Sequence, residues 1–346
     1  MIQSIKLKNF RNFDNQEFYF CDGTNIIVWN NGKGKTNILE ALSLFSKTSL
    51  VDLSFDSLLA RNADVMYIEA NNSNGDVLSI SYDKTIWKKK YILNGKNTTK
   101  KKLRESYPMS VLFKPMSMNV MYLSPSLRRE FFDWVLSNCF TEYSGILKNY
   151  KNILKSRNKL LKNIWDRKSD ASELNFWDEK FVVAAKKVYQ YRNTFIKFLE
   201  ENIGNLTDVF GWKVDMITFK YITQTNRLDA ENDLKKYLEK NRSRDIIIWK
   251  TMIGPHRDDF DIHVDDRPLI SFASRWEVKS IILWIKFLET QFIESVTWKS
   301  PIILIDDILS ELDETHKNYV VEMSKKRQVI ITSIEMIEAI DKKIIL

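Results

Sequence analysis

Trp29-Asn30-Asn31-Gly32-Lys33-Gly34-Lys35-Thr36 follows the apolar run Ile26-Ile27-Val28 and opens a helical pattern with Ile38, Leu42 and Phe45 on one stripe. A strand, a glycine-bearing loop and a helix start, in that order, supply what phosphate needs: backbone N–H groups that curl around its oxygens, and the positive end of a helix dipole. In such a loop Lys35 would reach the β and γ phosphates of a nucleoside triphosphate and the Thr36 hydroxyl would bind Mg²⁺. Asn30, Asn31, Gly32, Lys33, Gly34 and Asn37 would line the phosphates. The strict pattern asks for glycine at its first position, where this chain has Trp29. A chance turn before a helix is the plain alternative.

A phosphate loop alone hydrolyses nothing, because metal and attacking water need their own ligands. Pro301-Ile302-Ile303-Leu304-Ile305-Asp306-Asp307 offers them, an apolar strand ending in two carboxylates. Asp306 would hold Mg²⁺, mostly through water, and Asp307 would orient or deprotonate the attacking water. Taken by itself, an acidic turn after a buried strand is common.

These groups need a frame. At roughly 150 residues per domain, 346 residues make about two domains, and 44% apolar residues suffice for a substantial core. Fifty-three Lys and Arg against 45 Asp and Glu leave a formal +8, which favours an anionic partner such as nucleic acid. Met1 to Phe10 contains no apolar signal core and no run approaches the length of a membrane span, so a cytoplasmic protein is expected. Two cysteines make no disulfide framework, and with three histidines a Cys/His zinc site is not expected; any metal should be bound by oxygen.

The first hundred residues read as short strands around one helix, with Asp76 to Arg104 as a lysine-rich hairpin turning at Asn94-Gly95. That hairpin is either a charged, solvated edge or a DNA-facing surface. From about Ser124 to Asn202 the pattern is helical: Leu147, Tyr150, Leu154 and Leu161 fall on an apolar stripe, and Lys148, Lys151, Lys155, Arg157, Lys159 and Lys162 on the other faces. Those cations are either a solvated helix face or a nucleic-acid contact. After Lys213 strand-like pieces return, ending in Ile302 to Ile305 and Val329 to Ile331. The reading is an α/β head built from residues 1–112 and 203–346, with a helical lobe, 113–202, inserted between.

The motifs continue beyond the phosphate loop. Leu7-Lys8-Asn9-Phe10-Arg11-Asn12-Phe13 opens the chain and Ser124-Pro125-Ser126-Leu127-Arg128-Arg129-Glu130 opens the helical lobe, which goes on through Tyr150 to Asn158. Gly254-Pro255-His256-Arg257-Asp258-Asp259-Phe260 follows, then Asp306-Asp307 with Ser310-Glu311-Leu312-Asp313. Over nearly the entire chain this order resembles the RecF family, recombination mediators among the SMC-related ABC-type ATPases.

The resemblance implies an ABC-type ATPase head that dimerises on ATP, clamps double-stranded and gapped or single-stranded DNA, and assists RecA loading together with RecO and RecR. It implies that Arg11 lies near the nucleotide base, that Ser274 is the signature serine reaching the γ phosphate across the dimer, that Asp313 joins the two active sites, and that Thr332 or Ser333 is a switch residue. For each, local capping or an ordinary ion pair is the alternative. The rival readings are an ATP-insensitive DNA-binding relative and a P-loop phosphotransferase, the latter leaving Ser274 and Asp313 without a role.

The departures from the family pattern share a type. Trp29, Trp249, Trp276 and Trp298 stand where the family has glycine, in a chain with 9 Gly and 10 Trp; average usage of about 7% would give about 24 glycines. Trp177, by contrast, matches a family tryptophan. Either the chain is a degenerate relative that handles nucleotide poorly, or a reassigned stop codon that means glycine in its own code has been read as tryptophan.

Overall fold

Alternating and unbroken apolar runs sort the strands of the first half into two sheets. The computed structural model describes residues 1–28, 34–46, 54–113, 124–205, 216–226, 229–307, 317, 327–333 and 341–345, with backbone alone at 272, 275, 276 and 279. By contact density the chain divides into two units, Met1–Met118 with Thr297–Leu346, and Asn119–Val296.

In the first unit, β1 (Ile2–Phe10), β2 (Phe13–Tyr19), β4 (Val65–Asn72), β5 (Val77–Asp83), β6 (Lys88–Leu93) and β7 (Lys96–Thr98) form an antiparallel sheet in the order β2-β1-β4-β5-β6-β7. β4 alternates buried and less buried residues along its length, as a strand covered on one face does. The lysine-rich hairpin is present as β6 and β7, with Asn94 and Gly95 both left-handed at its turn. Two short helices, α2 (Phe55–Leu58) and α3 (Lys100–Ser106), border this sheet.

The other sheet is parallel: β3 (Thr24–Val28), β8 (Ser110–Phe113), β12 (Ile302–Asp306), β13 (Val329–Ser333) and β14 (Lys342–Ile345), in the order β14-β3-β13-β12-β8. Every residue of β12 and β13 is buried, which is why their sequences run apolar without alternation. Helix α1 (Lys35–Phe45) lies in the core with both: Ile38, Leu42 and Phe45 share one cluster with Ile5 and Ile68 of the antiparallel sheet and Leu304 and Ile330 of the parallel one. The Gln328 side chain donates to the carbonyls of Ile2 (2.6 Å) and Cys21 (2.9 Å) and accepts from Ile2 N–H, tying the last strands to the first.

The second unit is built on α4 (Pro125–Cys139), α5 (Tyr143–Trp165), α6 (Leu174–Asn202) and α7 (Ala230–Ile248), with a small antiparallel sheet of β9 (Ile217–Ile222), β10 (Asp259–Val264) and β11 (Arg267–Pro268). Helices α8 (Leu269–Phe272) and α9 (Arg275–Thr297) follow. Residues up to Val296 cluster with these helices, because α7 packs on α5 and α6, β9 on α6, and β10 on α4. Among the described residues no helix is long and apolar enough to cross a membrane.

Arg157 is not on the charged outer face of α5 where its spacing put it. It is fully buried, donating from Nε to Asp178 (2.7 Å) and from a terminal nitrogen to Asp245 (3.0 Å) and to the Thr251 hydroxyl (2.7 Å). The guanidinium thereby ties α5 to α6 and α7. Removing a partner from a buried ion group leaves charge uncompensated at a cost of about 3–5 kcal/mol. Arg157→Leu should therefore lower the unfolding free energy by that order, read as a shifted denaturant midpoint, whereas Lys155→Leu on the exposed face should change it by less than about 0.5 kcal/mol.

Candidate functional site

The site in the first unit forms where strands of the parallel sheet end. β3 leads to the phosphate loop, whose Asn30, Asn31, Gly32 and Lys33 lie outside the described residues, as does Asp313. Description resumes at Gly34, the N-terminal cap of α1, with φ of 100°. A Cβ there would sit 2.4 Å from the Asn12 side-chain oxygen, so the left-handed backbone favours glycine and any side chain would also displace the end of Asn12. Lys35, the first helical residue, is buried. The Thr36 hydroxyl donates to Asp306 Oδ1 at 2.8 Å, and the Thr332 hydroxyl to the same oxygen at 3.0 Å. Asp307 N–H in turn donates to the Thr332 hydroxyl at 3.1 Å, with the Asp307 backbone left-handed at φ 51°.

Lys35, Thr36, Asp306, Asp307 and Thr332 are thus brought together from three chain segments, at the C-terminal ends of parallel strands where α/β sheets place ligands. The oxygen donors suit magnesium. An octahedral shell with metal–oxygen distances of about 2.0–2.1 Å sets adjacent ligands about 2.9 Å apart, and the Thr36 and Asp306 oxygens stand 2.8 Å apart. Among the described residues no group of three or more His, Cys, Asp or Glu could hold a metal by itself, so phosphate and water would complete such a shell.

The remaining expected residues are placed differently. Arg11 donates to Glu40 of α1 at 3.0 Å and to the Ser57 carbonyl at 2.9 Å, so its guanidinium is engaged by an acid. Asn37 donates to Asn12 at 2.7 Å. Asn12, part of the opening motif, packs against the glycine that starts α1. Ser333 is buried at the end of β13. In the second unit Ser274 and Glu277 form a reciprocal capping box at the start of α9: Ser274 N–H donates to the Glu277 carboxylate (2.6 Å), and Glu277 N–H to the Ser274 hydroxyl (3.3 Å). Ser274 is exposed there, at the positive end of a 23-residue helix.

Gly254-Pro255-His256-Arg257-Asp258-Asp259 is consumed within the second unit. Gly254 has φ of 115°, and a Cβ on it would stand 2.9 Å from the Phe181 ring. Asp259 forms a bidentate ion pair with Arg128, and Asp258 accepts from the Tyr221 hydroxyl at 3.0 Å. Arg192 donates to the Pro255 carbonyl at 2.6 Å and to Asp133 at 3.0 Å. His256 Nε2 lies 3.0 Å from the Thr251 carbonyl, which can only accept, so Nε2 carries the proton and Nδ1 accepts from the Tyr150 hydroxyl at 2.6 Å. The motif is a brace joining α4, α5, α6 and the small sheet.

A strand, a glycine-started helix and an acidic strand end around one carboxylate define the nucleotide-binding head of a P-loop ATPase, and a family model described as an AAA ATPase domain matches residues 1–343. The chain is 31% identical over 343 residues to the DNA replication and repair protein RecF of Ruminiclostridium cellulolyticum, covering 96% of this chain and 92% of that one. It is 32% identical over 347 residues to the RecF of Clostridium botulinum, covering 99% and 94%. A solved structure of the recombination mediator protein RecF-ATP in the RecFOR pathway superposes with a TM-score of 0.82 at 25% identity, over 97% of this chain and 93% of that one. An Smc head bound to the winged-helix domain of ScpA shares the fold, with a TM-score of 0.57 at 18% identity over 99% and 93%. The chain belongs to the RecF family of DNA replication and repair proteins.

Burial, followed by the positive charges of Arg257, Arg129 and Arg192, pushes the His256 pKa from 6.5 down to about 4. The unfolded chain therefore takes up a proton near pH 6.5 that the folded state refuses until about pH 4, and stability is lost as pH falls through that window. Melting temperatures recorded from pH 7 to 4 should fall steeply for the parent protein and less steeply for His256→Gln, which cannot titrate.

Proposed function

We propose that this chain is an ATP-dependent DNA clamp of recombinational repair and replication restart, acting in the cytoplasm. The observation that carries the reading is the Thr36–Asp306 hydrogen bond, which joins the phosphate-loop helix to the acidic strand end. Lys35 binds the β and γ phosphates, and Asn30, Asn31, Gly32, Lys33, Gly34 and Asn37 surround them. Thr36 and Asp306 would hold Mg²⁺, which when bound offsets phosphate charge. Asp307 orients or deprotonates the attacking water, in slow, DNA-stimulated hydrolysis.

Two copies close around the nucleotide. Ser274, at the positive end of its helix, contacts the γ phosphate held by the second copy, and Asp313 links the two sites. Arg11 acts from beside α1, releasing or sharing Glu40 as the base of the nucleotide arrives. The triphosphate holds the dimer shut on DNA and hydrolysis opens it. RecO and RecR are the partners in that picture, with RecA loading the downstream event.

For DNA, charge supports the outer face of the antiparallel sheet. Pairing in register sets Lys8, Tyr67, Ser81 and Lys90 in one row across β1, β4, β5 and β6. Three strand spacings put the two lysines roughly 14 Å apart. Lys88, Lys89, Lys90 and Lys96 are exposed, and none of them has a carboxylate within ion-pair distance among the described residues. Lys8 and Lys90 at the ends of one polar row, with Lys88 on the same face opposite Asp83, suit a phosphate backbone, which is bound with weak sequence preference and strong salt dependence.

Sedimentation and DNA-binding measurements with and without ATP test the clamp. Lys35→Ala should weaken ATP binding about tenfold to a hundredfold, the worth of a charged hydrogen bond, and abolish ATP-dependent dimerisation. A variant that dimerises on ATP like the parent removes Lys35 from the site. Replacing Lys88 and Lys90 together by glutamate should weaken DNA binding and reduce the slope of log affinity against log salt by about 2, with ATP affinity unchanged.

A further inference from the structure

The backbone bears on the residue type at several tryptophans. Eleven described residues other than glycine have positive φ; six are Asn or Asp, which tolerate that region, and two are Arg. The other three are Trp87 (52°), Trp249 (55°) and Trp298 (56°). No other apolar residue type has a left-handed backbone among the described residues, although 44% of the chain is apolar. A bulky side chain there is an outlier, because its Cβ crowds the adjoining carbonyl.

Each of the three sits where chains turn on glycine. Trp249 ends α7: its N–H donates to the Ile246 carbonyl (3.3 Å) and Lys250 N–H to the Asp245 carbonyl (3.2 Å). Those two bonds make a Schellman motif, whose left-handed residue is characteristically glycine. Trp298 directly follows the last residue of α9, the corresponding place at that helix end. Trp87 is the last residue of the four-residue connection between β5 and β6, where a hairpin uses a left-handed residue to re-enter the strand.

Nothing in the packing asks for indole at these places. Trp298 is 91% exposed and Trp87 72%. Trp249 meets the Trp165 ring and the Lys162 ammonium but stays 43% exposed. Trp284, by contrast, is 4% exposed within α9, and Trp177 packs on the cluster of Leu160, Leu161 and Leu174. Among the described residues only Trp87, Trp249 and Trp298 combine indole with a left-handed backbone; Trp165, 49% exposed at the end of α5, is helical.

We infer that residues 87, 249 and 298 are glycine in the protein made by its own organism, and that Trp29 and Trp276 are glycine by the same substitution. A codon that ends translation in the standard code, and is reassigned to glycine in one variant code and to tryptophan in another, produces this one-way exchange. It moves the 9 glycines and 10 tryptophans of the chain toward ordinary usage. Trp87 adds a position that rests on backbone geometry alone. At residue 29 the exchange restores the first glycine of the phosphate loop, so the native chain carries the full pattern; the geometry at 87, 249 and 298 stands whether or not that loop binds ATP.

Two measurements test this. Peptide mass spectrometry of the protein isolated from its own organism should find glycine at positions 29, 87, 249, 276 and 298 and tryptophan at 177 and 284; tryptophan at 87, 249 or 298 overturns the inference. In the chain carrying tryptophan throughout, Trp249→Gly and Trp298→Gly should each raise the melting temperature, by about 2–4 °C, whereas Trp284→Gly should lower it. A fall at both 249 and 298 comparable to that at 284 would show that the indoles belong there and overturn it equally.

Discussion

One carboxylate oxygen, Asp306 Oδ1, accepts the hydroxyls of Thr36 and Thr332, residues 270 and 26 positions away in the chain. A carboxylate buried at the end of a parallel strand needs such donors, since without them its desolvation is uncompensated. The sheet order supplies them. β3 lies between β14 and β13, and β13 beside β12, so the helix that follows β3 starts next to the end of β12. Gln328 repeats the arrangement at the opposite strand ends by holding the Ile2 and Cys21 carbonyls. The closing of the chain's first segment on its last is therefore also the assembly of the site, and changes that disturb the sheet order disturb both together.

The second unit uses polar groups in the opposite way. Arg157, Arg192, Asp245 and Asp258 are buried, and their hydrogen bonds run between Arg157 and Asp245, to Asp133 and Asp178, to the Tyr221 and Thr251 hydroxyls, and to the Pro255 carbonyl. Gly254 lets Phe181 and Tyr150 approach the backbone closely enough for His256 to bridge Tyr150 and Thr251. The Gly254 to Asp259 run is thus mainly an internal brace, and Arg257 is its exposed member, touching the Thr251 carbonyl and the Met252 sulfur. Motif specificity and contact with ligand are separate properties: a fixed set of buried polar partners constrains residue type as tightly as chemistry does.

What could be read from the sequence was what is encoded locally. Ile26 to Thr36 announces strand, loop and helix within eleven residues, and Ile302 to Asp307 announces a buried strand with an acidic end; both strands and the helix are present, the loop itself lying outside the described residues. Arg157 was misplaced because helical spacing records which face a residue is on and not which acids are folded against it, and its partners lie 21 and 88 positions away. Strand-like sequence after Lys213 does not reveal its partners: it pairs into its own small sheet, which clusters with the helices rather than joining the parallel sheet. Asn12 had no spacing signal at all; its place comes from its side chain lying against Gly34 and accepting from Asn37.

Left-handed positions in this chain are of two kinds, and the difference separates fold from function. Gly34 and Gly254 are crowded, with side chains of other segments within 3 Å of any added Cβ, whereas around Gly75 and Gly95 nothing lies within 4 Å. Trp87 and Trp298 belong with the open kind, since their rings are mostly in solvent. An indole at an open turn strains the backbone of one residue and leaves packing alone, so the core and both sheets form regardless. At a crowded turn the same exchange would also have to displace a neighbouring side chain, Asn12 at Gly34 or Phe181 at Gly254. The phosphate loop works by close approach of backbone to an anion, and the glycine at its helix start is of the crowded kind. The fold forms whichever residue stands at its outer turns, at a local cost in strain, while at Gly34 a side chain would be both left-handed and against Asn12.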